Sequence, residues 1–173
     1  RLSLRMHVPG AFESQIRLAA KVGVDIVSFS LPAPWVRPGE TRDWSPVEQR
    51  CRIVLAANPE AFLLPRIGME PPGWWRQAHP DHVMRWEDGP RSQGFAVSSE
   101  AYRKEAAAQL RAVIEHLEAT YPERMIGYHP AGHNTGEWFY RDTWHREFDG
   151  YSPVTEGAWR EWLRRRYGNE TAL

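Results

Sequence analysis

The chain has one cysteine, Cys51, among 173 residues, which excludes an internal disulfide and any cysteine-based zinc site. No apolar stretch is long enough to span a bilayer, and no signal-peptide pattern is present. Charge of either sign is not in excess. The 22 Lys and Arg balance 22 Asp and Glu, so no global field draws the chain to nucleic acid or to an anionic membrane. Neither G-x-G-x-x-G nor G-x-x-x-x-G-K-S/T occurs, which removes the main support for nucleotide binding. The expectation is a soluble, cytoplasmic protein with no metal and no cofactor. The chain begins at Arg1 rather than Met, and removal of an upstream segment is expected.

What is abundant is apolar and aromatic. The hydrophobic fraction of 42% suits a folded globular chain, and 173 residues can bury a sizeable core. Nine tryptophans are a heavy load. Trp74 and Trp75 are adjacent and cannot share one direction in regular structure. Trp35, Trp44, Trp86 and Trp144 sit in stretches rich in Pro, Gly, Asp and Arg that read as loops. Loop aromatics suit a carbohydrate cleft or a protein interface. The run Arg164-Arg165-Arg166 reads as the solvated face of a helix.

Strands and helices alternate along the chain. A first strand is expected from Leu4 to Val8, then a helix from Phe12 to Val22 with Gly23 as its stop. The second strand, Asp25 to Leu31, reads as a nearly continuous apolar run of the kind a buried parallel strand shows. Ser45-Pro46-Val47-Glu48 has the form of a capping box, and its helix ends at Asn58-Pro59. The third strand, Ala61 to Ile67, leads into a loop reaching about Ser98. Tyr102, Ala106, Leu110, Val113, Ile114, Leu117 and Tyr121 recur at helical spacing. The fourth strand spans about Met125 to His129. A last helix starts at Ser152-Pro153, with Trp159, Trp162, Leu163 and Tyr167 expected inward.

Four consecutive βα units imply a parallel sheet, either open and doubly wound or half of a (β/α)8 barrel. The long loops all follow strands, while the returns from helix to strand are short. That asymmetry fits the catalytic face of a barrel and is also allowed in a doubly wound sheet. Residues 1–173 are read as one α/β domain of four βα units, with the doubly wound sheet and the TIM-barrel-type half barrel both open.

The segment Ile126-Gly-Tyr-His-Pro-Ala-Gly-His-Asn-Thr-Gly-Glu-Trp-Phe-Tyr140 is the richest in chemistry. A short apolar strand breaks at Pro130 and Gly132 into a loop carrying two histidines, an asparagine, a carboxylate and aromatics. An acid flanked by rings is what a glycosidase needs. Rings stack on sugar faces, and apolar surroundings favour the protonated acid that protonates a leaving oxygen. The plainer alternative is a surface loop whose Glu137 is solvated. His129 and His133 have metal-ligand spacing only on a helix, which Pro130 and Gly132 oppose, so no metal is expected. His7 ends the first strand and is a candidate pocket residue. Arg66, near the end of the third strand, is either a substrate or carboxylate clamp or the partner of a core acid. Glu70 either binds a sugar hydroxyl or pairs with Arg66. Trp74, Trp75 and Trp138 are the candidates for stacking on sugar, the alternative being that they plug the barrel mouth.

Four segments, in order, carry a family resemblance: Ala20 to Ser28, Pro71 to Pro80, Ser98 to Arg103 and Tyr151 to Gly168. On them the chain resembles the (β/α)8 glycoside hydrolases of clan A, and among these the family 42 β-galactosidases. The resemblance spans nearly the whole chain and only the first half of a family barrel. It implies a retaining glycoside hydrolase with Glu137 as general acid/base. The family acid usually follows an Asn directly, whereas this chain has Asn134-Thr-Gly-Glu137, and Asn134 is the candidate for the substrate's 2-hydroxyl. The family nucleophile, a Glu at the end of strand seven, has no counterpart in a chain that stops after four units. The isolated chain is thus expected to be inactive. Its expected partners are a carbohydrate and a second copy completing the barrel, which would bury Val8, Ile26, Phe29, Leu64 and Ile126. A non-catalytic carbohydrate-binding or self-assembling half barrel is the alternative.

Overall fold

The computed structural model describes residues 11–32, 35–90, 94–133, 136–140 and 148–168. The expected first strand and His7, Asn134 and Trp144 lie outside them. Among the described residues no helix is long and apolar enough to cross a membrane. The chain divides into two compact units.

The first unit comprises the chain up to Gly68 together with Gln109–Ala131. Helix α1 (Ala11–Ala20) buries Phe12 and Ile16, one turn apart on its inner stripe. It stops where Gly23 takes φ 77°, and Val24 N–H returns to the Ala19 carbonyl at 3.0 Å. Strands β1 (Ile26–Leu31) and β2 (Phe62–Gly68) pair in parallel from Ile26↔Phe62 to Leu31↔Ile67. Strand β5 (His129–Ala131) adds to β2 from Arg66↔His129 to Gly68↔Ala131, giving the order β1-β2-β5. A parallel bridge between Leu63 and Met125 extends that edge backwards.

The sheet has two unlike faces. Val27, Phe29 and Leu31 on β1, and Leu63, Pro65 and Ile67 on β2, are buried. Helix α2 (Ser45–Ala57), which packs on α1 and β1, contributes buried Val47, Cys51 and Val54. The opposite face carries Ile26 at 54% exposure, Phe62 at 42% and Ile126 at 50%, beside exposed Ser28 and Ser30. β1 is therefore an alternating strand, not a run buried on both sides. Its two serines fall at every second position, and period two sends them to the side away from the helices. The same parity puts Phe29 on the helix-covered face, where no second copy is needed to bury it.

The expected capping box does not form. Trp44 is the N-cap, and Ser45, the first helical residue, donates its N–H to Asp43 Oδ1 at 2.9 Å. Glu48 is engaged elsewhere, by Arg52 at 2.9 Å and by His116 Nε2 at 3.1 Å. Tertiary partners win over the local reciprocal bond that the four-residue pattern suggested.

The second unit comprises Met69–Ala108 and Gly132 onward. Where one long loop was expected it holds helix α3 (Gly73–Ala78), a 3-10 turn (Pro80–His82) and a small hairpin, β3 (Arg85–Trp86) with β4 (Gly89–Pro90). Gly89 makes the hairpin turn possible at φ 125°. Helix α4 (Glu100–Thr120) gives its first turns to this unit and the rest to the first. Helix α5 (Pro153–Tyr167) starts at Ser152, whose hydroxyl accepts the Thr155 N–H at 3.4 Å, and ends at left-handed Gly168.

Helix α5 departs from expectation. Leu163 is buried, but Trp159, Trp162 and Tyr167 are about half exposed. The two indoles stack on each other at 4.9 Å, 12° from parallel, instead of entering a core. No described element covers that face, so the rings bury area against one another. Glu161 meanwhile bonds Arg164 and Arg165 at 2.8 Å each along the helix surface.

Candidate functional site

The second unit holds most of the candidate residues. Glu70 lies just past the end of β2 and is half-buried. Its backbone neighbourhood is fixed by Tyr102, whose hydroxyl donates to the Met69 carbonyl at 3.0 Å. Burial, and then the Glu70 charge, push the Tyr102 phenol well above its usual range. It remains a neutral donor.

The following turn is held by Arg76, whose guanidinium donates to the Pro71 carbonyl. Trp74 is half-buried, but Trp75 is 0% exposed. Its indole N–H donates to Glu105 Oε2 at 2.8 Å, His79 stacks on it at 4.2 Å, and His82 and Tyr102 meet it edge-on. Trp75 was expected to stack on sugar. With its surface fully taken up, it offers no face to a ligand and instead anchors α3 to the start of α4. Ser99 completes this anchorage: its hydroxyl accepts the Tyr102 N–H at 3.0 Å and lies 2.7 Å from His82 Nδ1.

The acid loop is short and conformationally demanding. His133, Gly136 and Trp138 have φ of 56°, 69° and 62°. Two of these left-handed residues are not glycine, and each such placement costs roughly 1–3 kcal/mol, sustained only by tight surroundings. Backbone bonds close the turn: Gly136 N–H to the His133 carbonyl at 3.2 Å, and Trp138 N–H to the Gly132 carbonyl at 3.0 Å. The Trp138 ring lies over Gly132, where a Cβ would come within 3.1 Å of Cζ3, so a side chain at 132 would displace the indole.

His133 is buried against Phe95 at 4.1 Å, with Tyr140 at 5.5 Å and Trp138 at 6.2 Å. Burial, and after it the charge of Asp149, raise the Tyr140 phenol. Glu137 itself is exposed, between Gly136 and a Trp138 indole that is 47% exposed, so the apolar surroundings expected of the acid are not found and its exposure matches the solvated-loop alternative. A carboxylate at the surface beside an open ring can exchange a proton with a bound sugar's oxygen while the ring holds a sugar face.

Glu70, Trp74, Trp75, Glu137 and Trp138 thus belong to one unit, and Arg66, half-buried on β2, to the other. Among the described residues no group of His, Cys, Asp and Glu could hold a metal ion. Residues that the motif reading passed over are Phe95, His133 as a buried ring, and Tyr102 as a hydrogen-bond donor. Tyr102 was legible only as one member of a helical stripe. Phe95, flanked by Gly94 and Ala96 in a stretch without period, carried no signal.

Similar structures show the fold. The chain aligns over 96% of its length with 46% of the catalytic domain of a β-amylase from Paenibacillus polymyxa, at a TM-score of 0.69 and 17% identity. It aligns over 94% with 24% of a β-galactosidase from the psychrophilic Marinomonas ef1, at 0.65 and 19%. A cold-adapted β-galactosidase from Rahnella sp. R3 aligns over 91% of this chain and 22% of its own, at 0.53 and 16%. The chain spans less than half the length of each. The fold is a mixed α/β one with a parallel sheet, similar to TIM-barrel glycoside hydrolases. No curated protein matches the chain by sequence. The family model described as beta-galactosidase matches residues 9–173, and the chain belongs to glycoside hydrolase family 42.

Proposed function

We propose that this chain is the N-terminal half of a carbohydrate-acting (β/α)8 barrel with Glu137 as its general acid/base. The supporting observation is the acid loop: in a family 42 chain, a carboxylate is presented at the surface beside the open Trp138 ring, on a loop held in a costly conformation. In the retaining mechanism one carboxyl protonates the leaving oxygen and then deprotonates water, while a second, about 5 Å away, attacks the sugar. Glu137 takes the first part. The second is assigned to a carboxylate outside this chain, and Glu70 to a sugar hydroxyl. Arg66 serves as a substrate or carboxylate clamp, Asn134 and His7 as hydrogen-bonding groups, and Trp74 and Trp138 as stacking surfaces, with Trp75 supporting them from within.

The open sheet face of the first unit favours a companion reading. Ile26, Phe62 and Ile126 leave apolar area in water that a second half, in this polypeptide or as another copy of it, would cover. Each fully buried aliphatic side chain contributes roughly 1.5–3 kcal/mol, so association is driven strongly. The test uses nitrophenyl β-galactosides for turnover and alkyl β-galactosides, whose poor leaving groups need protonation, for the acid. The 173-residue chain alone is expected to be inactive, and the barrel completed by a full-length family sequence active. Glu137→Gln is expected to abolish turnover of substrates with poor leaving groups. Full activity of an isolated monomer, or an unaffected Glu137→Gln enzyme, overturns the proposal.

A further inference from the structure

Phe95 is 0% exposed and packs against two rings of the acid loop, His133 and Trp138, and against Tyr102. Tyr102 stacks on it at 3.7 Å and 21°, His133 lies at 4.1 Å and 38°, and Trp138 meets it edge-on at 6.3 Å and 84°. Two rings at such short distances cannot share one face of a phenyl group, so Tyr102 and His133 take opposite faces. Tyr102 is anchored at both ends, by its hydroxyl on the Met69 carbonyl and its N–H on Ser99 Oγ. A fixed helix start is thereby connected, through one phenyl ring, to two non-glycine residues of the acid loop, His133 and Trp138, that hold positive φ.

We propose that Phe95 is the positioning residue for the Glu137–Trp138 pair, a role that rests on the reading of Glu137 as the acid. Left-handed conformations at His133 and Trp138 persist only where surroundings over-determine them. Phe95 supplies that constraint to both, on the face of one ring and the edge of the other. Glu137 lies between Gly136 and Trp138 and has no regular element of its own. Its direction follows from the φ values around it, and catalytic groups must be held within about 0.5 Å of their working geometry. Without the phenyl ring the His133 face is bare, the two residues relax toward ordinary φ, and Glu137 turns with them. Bulk alone does not replace this function, because a branched aliphatic side chain presents no flat surface for two rings.

The experiment compares Phe95→Leu with Phe95→Tyr in the 173-residue chain by two-dimensional NMR. It follows the indole N–H of Trp138, assigned by its loss in Trp138→Phe, and the amides of Gly136 and Glu137. The Trp75 indole N–H, which donates to Glu105 Oε2 at 2.8 Å in the same unit, reports that this unit's fold survives. Phe95→Leu is expected to shift or broaden the three loop signals and keep the Trp75 signal, while Phe95→Tyr, which keeps the ring, keeps all four. Unchanged loop signals in Phe95→Leu overturn the proposal. If that variant fails to fold, the wild-type protein decides. Short proton contacts from Phe95 to both His133 and Trp138, with positive φ at both residues, support it, and absence of either overturns it. None of these readouts needs turnover, so the result is independent of the Glu137→Gln test of the acid assignment.

Discussion

Trp75 is the sharpest test of how the second unit is built. Replacing a buried Trp by alanine costs about 3–5 kcal/mol through lost transfer energy and the cavity left behind. Three features put Trp75→Ala in the upper part of that range. Its indole is 0% exposed, it stacks on His79, and it meets Tyr102 and His82 edge-on, aromatic pairs that each add roughly 0.5–1.5 kcal/mol beyond area. The hydrogen bond to Glu105 adds less, because that carboxylate is 39% exposed and water takes the place of the indole. Trp75→Phe keeps most of the ring and loses the N–H, so about 2 kcal/mol is expected. For a chain of this length 1 kcal/mol moves Tm by about 2–4 °C, which gives a drop of about 10 °C or more for alanine. Urea and thermal unfolding followed by far-UV circular dichroism measure both. A loss below about 1 kcal/mol for Trp75→Ala would show that the indole is not enclosed and would return it to the candidates for sugar stacking.

Other outcomes follow from single contacts. Ser152→Ala removes the hydroxyl that caps α5 and also lies 2.7 Å from Thr155 Oγ1, and should lower stability by about 1 kcal/mol in urea unfolding. Gly132→Ala puts a Cβ 3.1 Å from the Trp138 ring, which must give way by a few tenths of an ångström. The expected result is a changed Trp138 indole signal with little change in Tm, and an unaltered signal counts against the packing described. Burial is the main cause that pushes the Cys51 thiol up from 9.0 to about 12, and it also raises Tyr102, Tyr121 and Tyr128. The folded chain therefore holds those protons more tightly than the unfolded one. Stability should be intact below about pH 9 and fall as pH rises toward about 12, with Cys51 inert to thiol reagents before unfolding. A urea midpoint that is flat or rising over that window refutes this.

Much of the scaffold was legible because it depends on local pattern. Gly23 ends the first helix region, Ser152 and Gly168 bound α5, and the stripe of Tyr102, Ala106, Val113 and Leu117 is the buried side of α4. These are one-dimensional signals, in which periodicity and turn chemistry act within a few residues. Glu48 was misread because the same residue type serves a local cap or a distant partner, and His116, 68 positions away, decides between them. The hairpin Arg85–Pro90 was hidden because two-residue strands have no measurable period. Phe95 was invisible because its importance lies in the three rings around it.

The misassigned faces have a common physical origin. Ile26 in the first unit and Trp159, Trp162 and Tyr167 in the second are apolar residues at positions where pattern calls for burial, and the described chain leaves them in water. Pattern reports what a residue is adapted to touch, whereas exposure reports what this length of chain supplies. Where the two agree, as at Val27, Phe29 and Leu163, the covering element is within the chain. Where they disagree, a surface has been kept apolar at a cost in solubility and has no covering partner among the described residues. Trp75 shows the converse. It sits in a loop among Pro and Gly, where pattern gives no reason for burial, yet a Glu, two His and a Tyr enclose it. A loop that encloses one of two adjacent tryptophans is packed tightly enough to hold the other at a defined place, which favours Trp74 over Trp75 as the stacking surface. Trp74→Ala should therefore weaken any saccharide-induced change in tryptophan fluorescence, while Trp75→Phe should preserve it. The opposite result would mean that the buried ring becomes exposed when sugar binds.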